Sequence, residues 1–480
     1  MTQHRLLIGG EWVDPAGGES FAAYNPATGE RLADVALGTV EDVDRAVRAA
    51  RGAAAELAAT SVEQRAEWCE AVAAAIVEHA DELARALSED QGKPLEAEAR
   101  GEILTAAKGF RDAAGHVRHL DGVVPHAENP NKKVLSVRRP RGVYAVITPW
   151  NFPVNIPTEY LAPALATGNA VVWVPAPSTS HVAVRFAEVL AASGIPAGAL
   201  NLVTGPGDVV GDALVGHPDI DGVGFTGSTA TGMSIARRAA GKPLLLELGG
   251  NGPTIVLDDA DLPAAAKAIA AGAYFNGGQV CAATEVVLVE RGVHDELAAL
   301  VLEETRSIVS GDPADPGTTM GPLNNEATAA KMDAHILDAE GRGASVAAGG
   351  RRDDPSSLYY APTVLTGVPA EADVVRYESF GPIVPLVPVD SAEEAVEIAQ
   401  APQFGLCSAV WSRSAARAFA VAERLRTGIV NINDASTYWE IHMPFGGGSG
   451  TMSGLGRLGG MHTLLEMTEI KTITFDVTTF

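Results

Sequence analysis

The sequence has few cysteines, no long apolar run and no signal region. Its three cysteines, Cys69, Cys281 and Cys407, are too few for a disulfide framework and lack the spacing of metal ligands. No uninterrupted apolar run is long enough to span a bilayer, and the start of the chain lacks the basic and apolar segments of a secretory signal. We therefore predict no metal site, no membrane partner and a reducing, cytoplasmic location.

The chain is also short of positive charge. It contains 35 lysines and arginines against 60 aspartates and glutamates, which gives a formal net charge of −25. Such acidity argues against nucleic acid and anionic membranes as partners, because both carry negative charge themselves. It does not restrict a small substrate, since the charge of one pocket can oppose the charge of the whole protein.

The 480 residues are too many for one ordinary core, and they show neither a fixed-period repeat nor a low-complexity linker. A short strand pair is expected within 1–35, and helices within 39–120 that begin at the capping sequence Thr39–Asp42. From residue 142 onward, short Val- and Ile-rich runs alternate with helical segments, which predicts an α/β fold with parallel strands buried on both faces. Residues 121–140 predict an arm, and the last segment predicts a strand that pairs with this arm or with another subunit.

The stretch Leu244–Thr284 contains a thiol and a carboxylate in unusual settings. Glu247 lies in the apolar run LLLELGG, where a carboxylate is costly unless it has a partner or a function. Cys281 follows NGGQV, whose glycines permit close backbone approach and a helix start that would lower the thiol pKa. The alternative for Cys281 is a small buried apolar residue, which is our interpretation of Cys69 and Cys407. A thiol that attacks carbon and a carboxylate that moves a proton can form a nucleophile and a base.

Two further motifs follow predicted strands, at the edge where α/β proteins bind ligands. In TPWNFP, at 148–153, the side chain of Asn151 could donate to a developing oxyanion. The segment 224–232, GFTGSTATG, opens a helix whose N–H groups suit a phosphate. Taken alone, the first motif is more often a proline-rich turn and the second a plain helix cap. The turns ESFGP, at 378–382, and PFGGG, at 444–448, would also pass as ordinary by themselves.

Together and in this order, TPWNFP, GFTGST, ELGGN, GQVC, ESFGP and PFGG resemble the NAD(P)-dependent aldehyde dehydrogenase superfamily. The resemblance covers essentially the whole chain, from IGGEWV and NPATGE to TEIKTI. It implies an α/β fold with a Rossmann-like cofactor-binding domain, an α/β catalytic domain and a small β oligomerisation arm. The cofactor domain would comprise 1–121 and 141–246 and the catalytic domain 247–444. The arm and C-terminal strand would comprise 122–140 and 445–480, and the protein would form a homodimer or homotetramer.

The resemblance also implies a reaction. Cys281 would attack the aldehyde to give a thiohemiacetal, while Asn151 and the backbone N–H of Cys281 hold the oxyanion. Hydride would pass to the nicotinamide and leave a thioester. Glu247 would then activate water to hydrolyse the thioester and release the carboxylic acid. These roles agree with the chemistry expected of a thiol and a carboxylate in this setting.

The cofactor contacts are implied position by position. Glu378 would bind the nicotinamide ribose, Phe380 would line the nicotinamide, and Gly227 with Ser228 would face the pyrophosphate. The full set that the resemblance places at the cofactor is Thr148, Pro149, Trp150, Val174, Pro175, Gly227, Ser228, Glu247, Leu248, Gly249, Glu378 and Phe380.

The chain departs from the family pattern at four points, the first of which comprises both Val174 and Pro177. Val174 stands where a lysine usually contacts the adenosine ribose, and Pro177 where a glutamate often selects NAD over NADP. The loop 446–454 is two residues longer than is common, Val286 replaces an arginine, and Leu458 replaces an acidic relay residue. Loss of a cation weakens binding of a phosphate more than of a hydroxyl, so we favour NAD, with NADP as the alternative cofactor.

The substrate prediction rests on five positions. Phe152, Trp439 and Phe445 fall where the family builds an apolar tunnel, which favours an aromatic or medium aliphatic aldehyde. Asn155 and Glu159, one helical turn apart, add polarity to its mouth. Glu159 could attract a cationic amino-aldehyde, although a solvated glutamate at a helix start is the interpretation that we favour. No arginine pair stands at these positions, which argues against a dicarboxylic semialdehyde.

Three other functions are open at this point. A CoA-acylating dehydrogenase would pass the thioester to coenzyme A, and Glu247 argues against it because such relatives commonly lack this base. An esterase would use Cys281 without a cofactor. A non-catalytic protein of the same fold would have lost cofactor binding through Val174 and the altered loop.

Overall fold

Two large sheets, one of eight and one of seven strands, form the body of the protein in a computed structural model that describes residues 2–352 and 354–479. The strands are β1 (Thr2–His4), β2 (Leu6–Ile8), β3 (Glu11–Val13), β4 (Ser20–Tyr24), β5 (Arg31–Ala36), β6 (Lys132–Pro140), β7 (Val143–Thr148), β8 (Ala170–Pro175), β9 (Leu200–Leu202), β10 (Gly222–Thr226), β11 (Leu244–Glu247), β12 (Pro253–Val256), β13 (Val286–Glu290), β14 (Ser345–Ala348), β15 (Thr363–Thr366), β16 (Ile383–Val389), β17 (Cys407–Trp411), β18 (Ile429–Ile432), β19 (Gly454–Leu455) and β20 (Thr468–Asp476).

Helices cover the faces of both sheets. They are α1 (Val40–Ala59), α2 (Val62–Glu78), α3 (Ala80–Gln91), α4 (Arg100–Val117), α5 (Asn155–Thr167), α6 (Ser180–Ala192), α7 (Asp212–Gly216), α8 (Thr229–Arg238), α9 (Leu262–Tyr274), α10 (His294–Arg306), α11 (Glu326–Gly341), α12 (Asp373–Arg376), α13 (Ala392–Gln400), α14 (Ala415–Ala422) and α15 (Gly460–Glu466). The predicted cap of α1 is confirmed, because Thr39 and Asp42 form a reciprocal capping box. Within the described ranges, no helix is both long and apolar enough to cross a membrane.

The eight-stranded sheet has the order β19-β11-β10-β7-β8-β9-β2-β3, and its five central strands, β11 through β9, run parallel. The seven-stranded sheet has the order β14-β15-β16-β13-β12-β17-β18 and is parallel except at β14. The central strands are buried almost throughout, as the Val-rich β8 illustrates. The predicted α/β class with buried parallel strands is therefore confirmed.

The N-terminal region differs from its prediction. Residues 1–35 were expected to hold one strand pair, and β2 with β3 does form an antiparallel hairpin at the edge of the first sheet. Three more strands are present, since β1, β4 and β5 make a separate small sheet. The predicted domain ranges stay predictions, and their end residues Met1 and Phe480 lie outside the described residues.

The predicted arm is a strand, β6, that pairs antiparallel with the C-terminal β20 over nine residues, from Lys132 opposite Asp476 to Pro140 opposite Thr468. Of the two partners considered for the last strand, it is therefore the arm of its own chain that pairs with β20.

The chain passes from the first sheet to the second within a few residues. Glu247 ends β11, and β12 begins at Pro253. Glycines make this crossing possible, because a Cβ on Gly250 would lie 2.4 Å from the carbonyl oxygen of Cys281, and one on Gly252 would lie 1.8 Å from that of Ala283. The crossing thus brings the loop that carries Cys281 against the end of β11.

Candidate active site

Cys281 and Glu247 line one cavity of about 430 Å³. The walls of this cavity are largely apolar, and four aromatic side chains contribute to them: Phe152, Phe275, Trp439 and Phe445. Trp439 and Phe445 contact each other at a ring-centroid distance of 5.1 Å, and Phe152 contacts Phe275 at 5.7 Å. The cavity is therefore a site where a thiol and a carboxylate face the same small ligand.

The backbone before Cys281 does not begin a helix, which corrects one expectation. Asn276, Gly277 and Gly278 have φ values of 52°, 61° and 73° in succession, and the chain then runs through a turn into β13. Without a helix N-terminus, the predicted lowering of the thiol pKa is absent. Burial instead raises the pKa of Cys281 well above its usual value, and the neighbouring Glu247 charge raises it further. The thiol therefore needs a base to remove its proton.

Glu247 has the properties of such a base. It is 3 % exposed, and its Oε1 has no hydrogen-bond partner in the described chain. Burial raises the pKa of Glu247 to about 8, the contact with the Cys281 thiol lowers it, and the charge of Glu378 raises it. A carboxylate whose pKa lies near the working pH can both accept and release a proton.

Asn151 is held by the residues that precede the thiol. Its Nδ2 donates to the carbonyl oxygen of Gln279 at 2.9 Å, and its own carbonyl oxygen accepts from Asn276 Nδ2 at 2.9 Å. An amide NH₂ carries two hydrogens, so one remains for a ligand.

A buried ion pair supports the same loop from the other side. Lys93 Nζ donates to Glu102 Oε2 at 2.5 Å and to the Asn151 carbonyl oxygen at 3.1 Å, and it lies 3.7 Å from the centre of the Phe152 ring. Glu98 Oε1 accepts from the backbone N–H of Asn276 at 2.9 Å. Burial raises the pKa of Glu98 to about 7, although the charge of Lys93 lowers it. The sequence analysis missed these residues, because each acts through a contact distant in sequence.

All five predicted substrate residues line the cavity, namely Phe152, Asn155, Glu159, Trp439 and Phe445. Glu159 is 8 % exposed in the second turn of α5, so the favoured interpretation as a solvated glutamate is wrong. Asn155 Nδ2 donates to Glu159 Oε1 at 3.1 Å. Burial raises the pKa of Glu159 well above its usual value, and the charge of Glu247 adds to that rise. The sequence analysis missed Phe275 as a member of the wall.

The predicted phosphate motif opens α8, and its Ser228 caps that helix by accepting from the N–H of Thr231. Beside it lies a cavity of about 550 Å³, whose apolar wall includes Ile147, Val215, Phe225 and Ile235. An apolar slot next to free N–H groups at a helix start suits an adenosine and its phosphates.

The other end of the predicted cofactor site approaches Cys281. Glu378 Oε1 accepts from the N–H of Gly250 at 3.1 Å, and Glu378 also lies against Gly249. The Phe380 ring meets Trp150 edge to face at 5.5 Å. The Glu378 carboxylate can accept hydrogen bonds from ribose hydroxyls, so the chemistry at both ends fits a nicotinamide dinucleotide.

Six predicted cofactor positions are buried: Thr148, Val174, Pro175, Glu247, Leu248 and Gly249. Val174 is 1 % exposed, so its side chain does not replace the contact that a lysine would make. Thr148 uses its Oγ1 to accept from Trp173 Nε1 at 2.8 Å. Contacts from Val174, Pro175 and Leu248 to a cofactor must therefore come from backbone atoms. Pro149 connects Thr148 to Trp150 at the end of β7.

The remaining departures from the family pattern have clear places. Val286 is buried in β13, and Leu458 lines the cavity that holds Cys281. The lengthened loop is tied to the end of β11, because Ser453 Oγ accepts from the N–H of Gly405 at 2.9 Å and donates to the carbonyl oxygen of Gly249 at 2.6 Å. Among the described residues, no group of three or more His, Cys, Asp or Glu could hold a metal ion.

An α/β fold that brings a thiol and a carboxylate together, beside a cleft suited to a dinucleotide, is the arrangement of a cofactor-dependent enzyme with a reactive cysteine. The chain belongs to the aldehyde dehydrogenase family, whose model matches residues 12–473. It is an NAD(P)-dependent aldehyde dehydrogenase, which confirms the predicted family, fold and class of enzyme.

Similar proteins cover nearly all of both chains. The NADP(+) succinate-semialdehyde dehydrogenase of Escherichia coli strain K12 is 37 % identical over 473 residues, 98 % of this chain and 97 % of that protein. The 3-sulfolactaldehyde dehydrogenase of Pseudomonas putida is 37 % identical over 473 residues, 98 % of this chain and 96 % of that protein. The crystal structure of succinate-semialdehyde dehydrogenase from Burkholderia pseudomallei has a TM-score of 0.96 and 38 % identity, and covers 99 % of this chain and 98 % of its own. The structure of betaine aldehyde dehydrogenase from Staphylococcus aureus, solved with NAD+, has a TM-score of 0.95 and 34 % identity, and covers 99 % of this chain and 95 % of its own.

Proposed function

We propose that this enzyme oxidises an uncharged aromatic or medium aliphatic aldehyde to its carboxylic acid, with Cys281 as nucleophile and Glu247 as base. The observation that carries the proposal is the shared cavity of about 430 Å³, in which the thiol, the carboxylate and four aromatic rings face one another. Its volume suits a small molecule, and its apolar walls suit a ring or a short alkyl chain.

Cys281, Glu247 and Asn151 would carry out the reaction. Glu247 removes the thiol proton, and the sulfur attacks the aldehyde carbon to form a thiohemiacetal. The unused N–H of Asn151 stabilises the charge that develops on the aldehyde oxygen. Glu378 and the start of α8 would hold NAD(P)+, which would accept the hydride as this adduct becomes a thioester. Glu247 releases the thiol proton and then takes a proton from water as the water oxygen adds to the thioester carbon. The C–S bond breaks, and the leaving Cys281 thiolate takes this second proton back from Glu247.

Among the described residues, the cavity wall offers no unpaired cation to an anionic substrate. Lys108 is the only cation among the described lining residues, and its Nζ already pairs with Asp112 at 2.5 Å. Five acidic side chains line the same cavity: Glu98, Glu102, Glu159, Glu247 and Glu440. Two similar proteins are named for succinate semialdehyde, whose second carboxylate would meet these groups. We therefore expect this enzyme to discriminate against semialdehydes with a second carboxylate.

The adenosine end favours NAD over NADP. The cavity beside α8 is lined by Asp208, Asp212 and Arg238, with Arg238 Nε 3.3 Å from Asp212 Oδ1. These three groups sum to a charge of −1, and the buried Val174 adds no cation. A 2′-phosphate would bring further negative charge to this end, whereas a 2′-hydroxyl would not.

One experiment tests both parts. Benzaldehyde, hexanal and succinate semialdehyde are each assayed with NAD and with NADP by the absorbance of the reduced cofactor. We expect kcat/KM for either uncharged aldehyde to exceed that for the semialdehyde by at least about tenfold, which corresponds to about 1.4 kcal/mol. Preference for the semialdehyde would overturn the substrate proposal, and a higher kcat/KM with NADP would overturn the cofactor proposal. Acyl-CoA formation on addition of coenzyme A would favour the acylating alternative.

The arm supports a homo-oligomer. Among the described strands, β20 pairs only with β6, and a two-stranded sheet alone is marginally stable in water. Its apolar residues Leu135, Ile470 and Ile473 are 40 %, 61 % and 37 % exposed. Burial of this face against further copies of the chain, in a dimer or tetramer, would remove these side chains from water.

A further inference from the structure

A second, much smaller cavity lies directly behind the active-site cavity. Its volume is about 20 Å³, which is enough for one water molecule. Glu159 and Ile441 line both cavities. A carboxylate therefore stands in the wall between the reacting groups and a water-sized space.

Polar atoms surround this small space. Thr463 and His116 both line it, and their Oγ1 and Nδ1 atoms are buried without a hydrogen-bond partner in the described chain. Asp112 lines it as well. A water here would have two to four polar partners, which is the number that a buried water requires.

Two helices carry these groups from the active site toward the surface. On α4, Glu102 and Thr105 line the active-site cavity, while Asp112 and His116, on the following turns, line the small one. Spacings of three and four residues place such side chains on one face of a helix. On α5, Asn155 and Glu159 are one turn apart, and only Glu159 reaches both cavities.

We propose that Glu159, a water in the small cavity and His116 carry the proton collected by Glu247 to the solvent. This proton route rests on the proposed function, because Glu247 must release the thiol proton in each turnover before it can take a proton from water. Glu159 gives its carboxyl proton to the cavity water and takes one from Glu247 through water in the larger cavity. The cavity water passes a proton to His116 Nδ1, and His116 releases one to bulk water. Each group ends the turnover as it began, and one proton has left the protein.

The acidities of these groups suit such a transfer. Burial and the charge of Glu247 both raise the pKa of Glu159, and burial raises that of Glu247 to about 8. The pKa values of both carboxyls are therefore raised. Proton transfer between them is for this reason not steeply uphill. Burial lowers the pKa of His116. The charge of Asp112 raises this pKa, and the charges of His442, Lys108 and His119 lower it. A neutral imidazole can accept a proton briefly and lose it again at once.

The decisive variant is Glu159→Gln, which removes the titrating group but keeps an oxygen to accept from Asn155. Deacylation is measured directly, by quenching after the NADH burst and following the mass of the thioester on Cys281. We expect deacylation to slow by about tenfold or more, the low end of general acid–base effects. Added imidazole, at constant pH and ionic strength, should accelerate deacylation in Glu159→Gln and not in the unmodified enzyme. A merely structural role for Glu159 would not respond to imidazole.

His116→Gln and Thr463→Val test the far side of the route, away from the reacting atoms. We expect each to slow deacylation by about threefold or more, while His119→Gln, in the exposed residue three positions from His116, leaves it unchanged. The proton route is overturned if Glu159→Gln deacylates at the normal rate, if its slow rate ignores imidazole, or if His116→Gln and His119→Gln behave alike. An enzyme that gives no aldehyde-dependent burst at all would instead refute the proposed function.

Discussion

The side-chain amide of Asn151 donates to the carbonyl oxygen of Gln279 at 2.9 Å, two residues before the thiol. One of its two N–H groups is thereby committed, and the geometry of the other is defined by the loop that carries Cys281. The residue proposed to hold the oxyanion and the residue proposed to attack are therefore parts of one hydrogen-bonded unit. Such preorganisation is what lets a donor stabilise charge without rearrangement during the reaction.

The buried Lys93 should be important for stability as well as for this unit. Lys93→Met leaves Glu102 buried without its ion-pair partner, and breaking such a pair costs about 3–5 kcal/mol. We expect a loss of that size in urea-induced unfolding. The control is Lys108→Met, which breaks an exposed pair with Asp112 and should cost below about 1 kcal/mol. Equal losses in the two variants would contradict the buried pair's role.

Cys281→Ser should abolish aldehyde oxidation, because a serine hydroxyl is a far weaker nucleophile than a thiolate. We expect kcat to fall by at least about a thousandfold, with cofactor binding retained in a fluorescence titration. Cys69→Ala is the matched control, since Cys69 is buried in the core away from the cavity. Activity retained in Cys281→Ser would remove the thiol from the mechanism.

Glu247→Gln should separate the two halves of the reaction. Without a base for water, hydrolysis of the thioester should slow by about a hundredfold or more. The NADH burst should also be slower, because the thiol loses the same base, and it should be followed by accumulation of a thioester on Cys281, visible as added mass in the intact protein. An unchanged steady-state rate would show that another base serves.

Glu247 should also make stability depend on pH. Its pKa rises from 4.5 to about 8 on folding, so between these values the folded protein binds a proton that the unfolded chain has released. The contribution of this group to the free energy of unfolding therefore falls as pH rises from about 4.5 to about 8 and is constant above. We expect the Tm of Glu247→Gln, relative to the unmodified protein, to increase across that window in calorimetry. A difference independent of pH would refute this.

A charged substitution on the arm tests the proposed homo-oligomer. Ile470→Glu puts an acid on the exposed face of β20 opposite Arg138, which should leave the β6–β20 pairing intact. We expect light scattering to show a smaller assembly than for the unmodified protein. Leu337→Glu, at an exposed apolar residue of α11, should leave the mass unchanged. A monomeric unmodified protein would overturn the oligomer proposal itself.

Local patterns in the sequence were enough to predict the α/β class, the helical region after Thr39 and the meeting of Cys281 with Glu247. Buried parallel strands are Val- and Ile-rich in any context, and a carboxylate inside LLLELGG requires a partner wherever it lies. The first two predictions depend only on residues near one another in the chain, whereas the joint role of Cys281 and Glu247 was implied by the family resemblance.

The failures have equally physical causes. The glycines before Cys281 suggested a helix start, but three consecutive positive φ values from Asn276 turn the chain away from a helix. Glu159 was interpreted as solvated, although the apolar residues all around α5 were a usable signal of burial, because a helix apolar on every face lies inside the protein. Lys93 gave no signal, since its partners Glu102 and Asn151 become neighbours only in the folded chain.

The crossing from β11 to β12 separates the proposed base and nucleophile between two sheets. Glu247 belongs to the first sheet, and Cys281 precedes a strand of the second; yet Val280, Ala282 and Ala283 pack into the hydrophobic core of the first. A fragment that ends at this crossing would lack part of its own interior as well as its thiol. Neither half is therefore an independent enzyme, and catalysis in this protein exists only in the intact, fully assembled fold.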